Sequence, residues 1–326
     1  MAKAVEQLQS GMTVAHAWLG AQANGSRMSV RQACHDGDTV SVDPAGNIGV
    51  RLLGVDAPEV SFTLPNQPNT FTSIKSAGWT AFLTDPFAAT LPPFVPALPP
   101  ALVADLKARL GPNCAANHAA HALAATRELE KLAEADRTGA AETLETFKFF
   151  LAFAYDVIDR YGRFLGYLNH DLPSPPRPRP YNERLLIGGL VTPYFIWPNI
   201  DPFRKQPSLD KAVPRPGAPI NDANLDRARK AVRDARTNHL GVFSAADPLK
   251  LLPFELRYLA RTFSDPGGHG GQRVRGGPDR WVIDLAAADN KLLPPTTYTA
   301  VANLEDRLFV PSEFIPLFVD KGWKKA

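Results

Sequence analysis

Alternating apolar and polar positions dominate the early part of the chain and predict short strands. Residues 1–26 carry no clear period, whereas "MSVRQAC" (residues 28–34) alternates and reads as a strand. "TVSVDPAGNIGVRLLGV" reads as a hairpin: TVSV runs out, DPAGN turns on Pro44 and Gly46, and IGVRLLGV returns. After Glu59 the pattern dissolves, and residues 60–76 read as polar loop. "SAGWTAFL" suits a short helix, and "ALVADLKARLG" suits another, stopped by Gly111. "NCAANHAAHALAATRELEKLAEADR" is an alanine-rich helix. "FKFFLAFAYDV" alternates as a strand with Phe147, Phe149, Leu151, Phe153 and Tyr155 on one face; DRYGR turns, and FLGYL returns. "NERLLIGGL" predicts a helix with Asn182 as N-cap, followed by the aromatic strand "TPYFIWPN". In "DANLDRARKAVRDARTNHLG" the residues Leu225, Ala228, Val232 and Ala235 form one apolar stripe, with Gly241 past the end. Beyond residue 245 come a helix at "FELRYLARTF", a glycine-rich basic loop and a strand at "RWVIDL". No internal repeat is visible.

Composition narrows the class. A chain of 326 residues, 44% hydrophobic, can bury a substantial core, and its length suits one domain enlarged by insertions or an extension. Net charge is only +3, so a nucleic-acid partner has to be argued from local sites and not from overall charge. The two cysteines, Cys34 and Cys114, have no zinc-like spacing, and they neither demand nor exclude a disulfide. Cys34 reads as buried strand filler. The N-terminus lacks the apolar run of a secretory leader, and no stretch is long and apolar enough to span a bilayer. The default expectation is a cytoplasmic protein without membrane contact; a secreted chain already relieved of its leader would look the same. Prolines cluster in "DPFAATLPPFVPALPP" and "PSPPRPRP", which excludes regular helix or central strand there.

Charge then singles out one span. Asp36 and Asp38 precede the outgoing strand of the expected hairpin, and Asp56 and Glu59 follow the returning one. A hairpin would bring those ends together. Arg51 lies within the returning strand, and strand parity puts it opposite Asp56 unless a bulge or twist reorients it. Carboxylates grouped this way suit a hard divalent cation, calcium or magnesium and not zinc. An arginine in the same place opposes metal binding unless an anion such as phosphate bridges both. Glu59 could then activate water as a general base or organise metal-bound water. A cation, a guanidinium clamp and a placed water are the parts that phosphodiester cleavage needs.

DGDT, RLLGVDAPE, DRYGR, NERLLIGGLVTPYFIWPN and NHLGVFS, in this order, resemble the staphylococcal nuclease (thermonuclease) family over roughly residues 27–245. The resemblance implies an α+β fold: an OB-fold-like five-stranded β-barrel with helices. It also implies a calcium-dependent nuclease hydrolysing DNA and/or RNA with little sequence specificity and leaving 3′-phosphate ends. Asp38, Asp56 and the Ala57 carbonyl would ligate calcium, with magnesium as an alternative. Arg51 and Arg163 would hold the scissile phosphate, Glu59 would act as the base or orient the water, and Tyr161 would touch a phosphate. Phe195 and Trp197 fall where the family has tyrosines beside the base, and they read equally well as core. Asp36 belongs to the motif without being a direct ligand.

Three departures accompany the resemblance. The loop after Glu59 is poor in lysine, a proline-rich insertion occupies about residues 60–115, and residues 246–326 form a C-terminal extension without a counterpart. The insertion and the extension are candidate sites for a protein partner. The alternative to an enzyme is a non-catalytic nucleic-acid- or protein-binding module on the same fold. Retention of all five motif positions, Asp38, Arg51, Asp56, Glu59 and Arg163, favours the enzyme.

Overall fold

The structure, a computed structural model, describes residues 3–7, 13–34, 41–159, 161–172, 178–200, 208–218, 220, 223–264 and 273–326. Strands β1 (Val5–Gln7), β2 (Thr13–Ala15) and β3 (Ala17–Leu19) precede a one-turn helix, α1 (Val30–Ala33). Then come β4 (Val42–Pro44), β5 (Val50–Leu52), β6 (Gly54–Asp56), β7 (Ser61–Leu64) and β8 (Gln67–Ser73). Helices α2 (Ala77–Thr84), α3 (Pro100–Arg109) and α4 (Cys114–Gly139) follow, then β9 (Phe149–Ile158) and β10 (Phe164–His170). The middle of the chain supplies α5 (Tyr181–Ile187), β11 (Thr192–Ile196), α6 (Leu209–Ala212), α7 (Ala223–Thr237) and α8 (Pro253–Ala260). The last part holds β12 (Thr262–Ser264), β13 (Arg273–Arg275), β14 (Arg280–Asp284), β15 (Lys291–Leu292), β16 (Arg307–Pro311), α9 (Ile315–Asp320) and β17 (Lys324–Lys325).

The architecture is α+β, and two sheets position the charged span. One has the order β5-β10-β9, the other β14-β16-β11-β6. Among the described residues the strands form separate open sheets and do not close into a barrel. Adjacent segments of one chain stretch feed both sheets. β5 runs parallel to β10, while β6 runs antiparallel to β11. The switch occurs at Leu53 and Gly54, where Gly54 adopts φ +74°, a left-handed conformation that a β-carbon disfavours. Asn182 braces the switch: its Nδ2 donates to the Leu53 carbonyl at 2.8 Å and its Oδ1 accepts from Leu168 N–H at 3.0 Å. The expected N-cap role of Asn182 is therefore corrected. Helix α5 has Pro180 as its N-cap, two residues earlier, so Asn182 lies inside the helix with its amide free for the strands.

Four further expectations change. Met28–Cys34 is not a strand, because Ser29 and Gln32 form a reciprocal capping box that nucleates α1 and overrides the alternation. Cys34 is exposed, not buried filler. The described parts of the expected hairpin do not pair with each other: β4 pairs with β3, and β5 with β10. Alternation marks a strand but carries no information about its partner. Residues 61–73 are a hairpin, not loop; Phe62 meets Phe71 edge-on at 6.1 Å, and Trp79 Nε1 donates to the Thr72 carbonyl at 3.2 Å.

The segment at about residues 60–115 and the stretch beyond residue 245 build a core together. Leu64, Ile74, Trp79, Leu83 and Leu102 of the insertion pack in one cluster with Leu251, Phe254, Leu256 and Tyr298 from beyond residue 245. The stretch after residue 245 also supplies β16, which lies between β11 and β14 in the second sheet. Among the described residues no helix is long and apolar enough to cross a membrane.

Candidate active site

Strand β6 ends in Asp56, held by its register with Thr192, whose hydroxyl donates to the Asp56 carbonyl at 3.1 Å. The Asp56 carboxylate is fully buried and accepts from two arginines. Arg51 Nη2 reaches Oδ1 at 2.7 Å; Arg257, on α8, reaches Oδ1 at 3.0 Å and Oδ2 at 2.9 Å. Arg257 also donates to Glu59 Oε1 at 2.6 Å. Parity would have separated Arg51 from Asp56. The left-handed kink at Gly54 between them supplies the required reorientation.

Glu59 is fixed from the other side by His118 of α4, whose Nε2 accepts from the Glu59 N–H at 2.8 Å. Accepting at Nε2 places the imidazole proton on Nδ1, which is buried near Leu251 without a hydrogen bond of good geometry. Burial lowers the His118 pKa to about 4, so the ring is neutral at physiological pH. Burial also raises the Glu59 pKa; Arg257 pulls it down, and the Asp56 charge pushes it further up. A carboxyl poised in this way is a better proton acceptor than an ordinary surface glutamate. Arg257 stays charged, because Asp56 and Glu59 more than offset the burial that disfavours its cation.

Arg163 immediately precedes the neighbouring strand β10. β10 continues its register with β5 so that Arg163 lies beside Gly49, where a β-carbon would sit 3.3 Å from Arg163 Cγ. That puts Arg163 diagonally across from Arg51, roughly 7 Å away along the strands. Its guanidinium is turned onto its own loop: Nη2 pairs with Asp159 Oδ2 at 2.7 Å, and the group lies 5.3 Å from the centre of the Tyr161 ring. Tyr161 is about half exposed, and Ala57 is exposed.

Phe195 and Trp197 are not brought to this cluster as open rings. They are 3% and 1% exposed, with Trp197 enclosed edge-on by Phe314 and Phe318 at 4.9 and 5.0 Å. The base-stacking surface implied by the resemblance is absent from this arrangement, because the C-terminal stretch covers both side chains. Phe195 instead helps line a cavity of about 400 Å³ between the sheets, together with Gly54, Tyr167, Asn182, Leu186 and Leu225. None of Arg51, Asp56, Glu59 or Arg163 lines that cavity.

Asp36 and Asp38 lie outside the described residues. Calcium takes about six to eight oxygen ligands. Among the described residues no group of three or more acidic, histidine or cysteine side chains is placed to hold a metal. Both Asp56 oxygens and one Glu59 oxygen already accept from guanidinium groups. The described residues therefore do not fit a calcium cage as they stand. Sequence reasoning missed Arg257 and His118, which lie far from Glu59 along the chain, on helices to which the sequence assigned no role at the site. No family model matches this chain, and no curated protein does either.

Proposed function

We propose that the chain is a phosphodiester hydrolase of the staphylococcal-nuclease kind, acting on DNA and/or RNA. One observation carries the reading: Arg51, Asp56 and Glu59, motif residues from two sides of a strand break, meet in one cluster, with Arg163 in the turn that leads into the adjoining strand β10. An OB-like ancestry is supported by the β5–β6 stretch, which serves two sheets through a bend, as corner strands do where sheets meet. Arg51 is a third exposed and uses one nitrogen on Asp56, leaving other N–H groups for phosphate oxygens. The second Glu59 oxygen is the natural proton acceptor for a water attacking phosphorus. The P–O5′ bond then breaks, the proton of the attacking water rests on Glu59, the departing 5′-oxygen takes a proton from solvent water and leaves as the 5′-hydroxyl, and a 3′-phosphate remains.

The test is cleavage of single-stranded DNA, duplex DNA and RNA by wild type and Glu59→Gln, with calcium, with magnesium and with chelator. Cutting by wild type that the variant lacks supports the reading; equal rates in both refute it. A second reading, a non-catalytic binding module, is favoured by the saturation of the carboxylates with guanidinium groups. It expects nucleic-acid or protein binding without cleavage under any ion.

A further inference from the structure

The Asp56–Glu59 pair already has a cation. Arg257 lies between the two carboxylates, with its side chain 17% exposed and three contacts of 2.6 to 3.0 Å. Two acids and two arginines leave the cluster neutral, so it offers no net attraction to a free ion. Nothing about this seat is loose. Arg257 belongs to α8, whose Phe254, Leu256 and Leu259 are buried in the core shared with the insertion. The same helix is anchored by Glu255, which accepts from Arg109 at 2.7 and 2.8 Å and from the Tyr298 hydroxyl at 2.8 Å. Both anchoring segments lie outside the stretch that resembles the nuclease family. The chain thus carries added structure whose effect at the site is to deliver one guanidinium.

We propose that Arg257 is the resident cation of the Asp56–Glu59 carboxylates and excludes a divalent ion from them, so that residues beyond 245 set the metal dependence of the site. The inference rests on the nuclease reading only for the identity of the excluded ion. A guanidinium spreads one charge over a plane and bridges two carboxylates through directed N–H bonds. A calcium ion would need those same oxygens as ligands.

The experiment is calorimetric titration of calcium chloride into wild type, Arg257→Ala, Arg257→Lys and the Arg257→Ala/Asp56→Asn double variant, each first shown to be folded by circular dichroism. Wild type is expected to bind calcium weakly. Arg257→Ala should bind at least ~10-fold more tightly, because a positive charge a few ångströms from the ion has gone. Adding Asp56→Asn should erase the gain. Methylguanidinium at millimolar concentration should compete with calcium in Arg257→Ala and leave wild type unaffected, a result that a merely structural role for Arg257 would not produce. Equal calcium affinity in wild type and Arg257→Ala overturns the proposal. Arg257→Lys keeps the charge, so its affinity should stay near that of wild type; if Arg257→Ala fails to fold, Arg257→Gln takes its place, and unchanged calcium affinity there overturns the proposal. Micromolar calcium binding by wild type overturns it without any variant. Calcium bound by Arg257→Ala, with no cleavage of nucleic acid by wild type or variant under any ion, would remove the nuclease reading and leave this inference standing. Calcium-dependent cleavage with affinities equal across the variants would do the reverse.

Discussion

Asp56 is the pivot of the charged cluster, and its removal tests the site's electrostatics directly. The carboxylate is fully buried and takes three charge-assisted hydrogen bonds, one from Arg51 and two from Arg257. Deleting one partner of a buried ion pair costs about 3–5 kcal/mol, chiefly because the other charge is stranded. Two features place Asp56→Ala near the lower end. Arg51 is a third exposed and can turn to water, so its share resembles that of a surface pair, at most ~1 kcal/mol. Arg257 keeps Glu59 as a partner. The expected loss is therefore ~3 kcal/mol, with a coupling of ~2 kcal/mol between Asp56 and Arg257 in a double-mutant cycle, as for hydrogen bonds between charged groups. The assay is urea unfolding at pH 7, followed by far-ultraviolet circular dichroism, in 0.15 M and 1 M salt. Buried pairs are weakly screened, so the loss should survive high salt. A loss below ~1 kcal/mol, or a coupling indistinguishable from zero, would refute the view of Asp56 as a buried pivot.

Turnover on single-stranded DNA should fall ~10²-fold or more in Arg51→Ala, Glu59→Ala and Arg163→Ala, since each removes a charge-stabilising or proton-transfer group; unchanged rates in folded variants would count against the assignment. Stability should drop as pH falls from about 6.5 toward 4. The unfolded state gains a proton on His118 that the buried native imidazole refuses, an effect of ~3 kcal/mol read by urea midpoints and flattened in His118→Gln. Glu59 acts the opposite way: its raised native pKa means stability is lost as pH rises from its unfolded value through the folded one, so Glu59→Gln should steepen the acid-side decline. Gly54→Ala should cost ~1–2 kcal/mol for its left-handed backbone and, by straining the kink, weaken the Arg51–Asp56 pair. Trp197→Ala should cost ~3–5 kcal/mol of stability as a core deletion, with single-strand affinity unchanged in whatever remains folded.

Local chemistry was legible in the sequence where it depends on near neighbours. Helices α3, α4 and α7 and strands β9 to β11 follow from periodicity and stop signals, and the need for a bend between Arg51 and Asp56 follows from strand parity. The β9–β10 pairing was legible from the turn at DRYGR, but the partner of β5 was not, because an alternating segment satisfies its pattern beside any strand; β5 chose β10 in parallel over β4. Ser29 and Gln32 show a capping pair overriding alternation across one turn. Arg257 and His118 escaped notice for a different reason. Each sits in a helix with no local signal pointing to the charged cluster, and only the tertiary packing of α4 and α8 around Glu59 gives them a role.

The parallel pairing of β11 with β16 has a kinetic side. Phe195 stands in register with Leu308, so the strand next to the charged cluster waits for a partner that leaves the ribosome long after it. Until then one edge of β11 is open, and the ring of Trp197 lacks the cover of Phe314 and Phe318 that it has in the finished fold. Such non-local pairing is slow to form, and an unpaired apolar edge is a template for association. Synthesis halted near residue 245 should therefore yield aggregates and not a smaller working unit, and the full chain should depend on chaperones more than its helical content suggests.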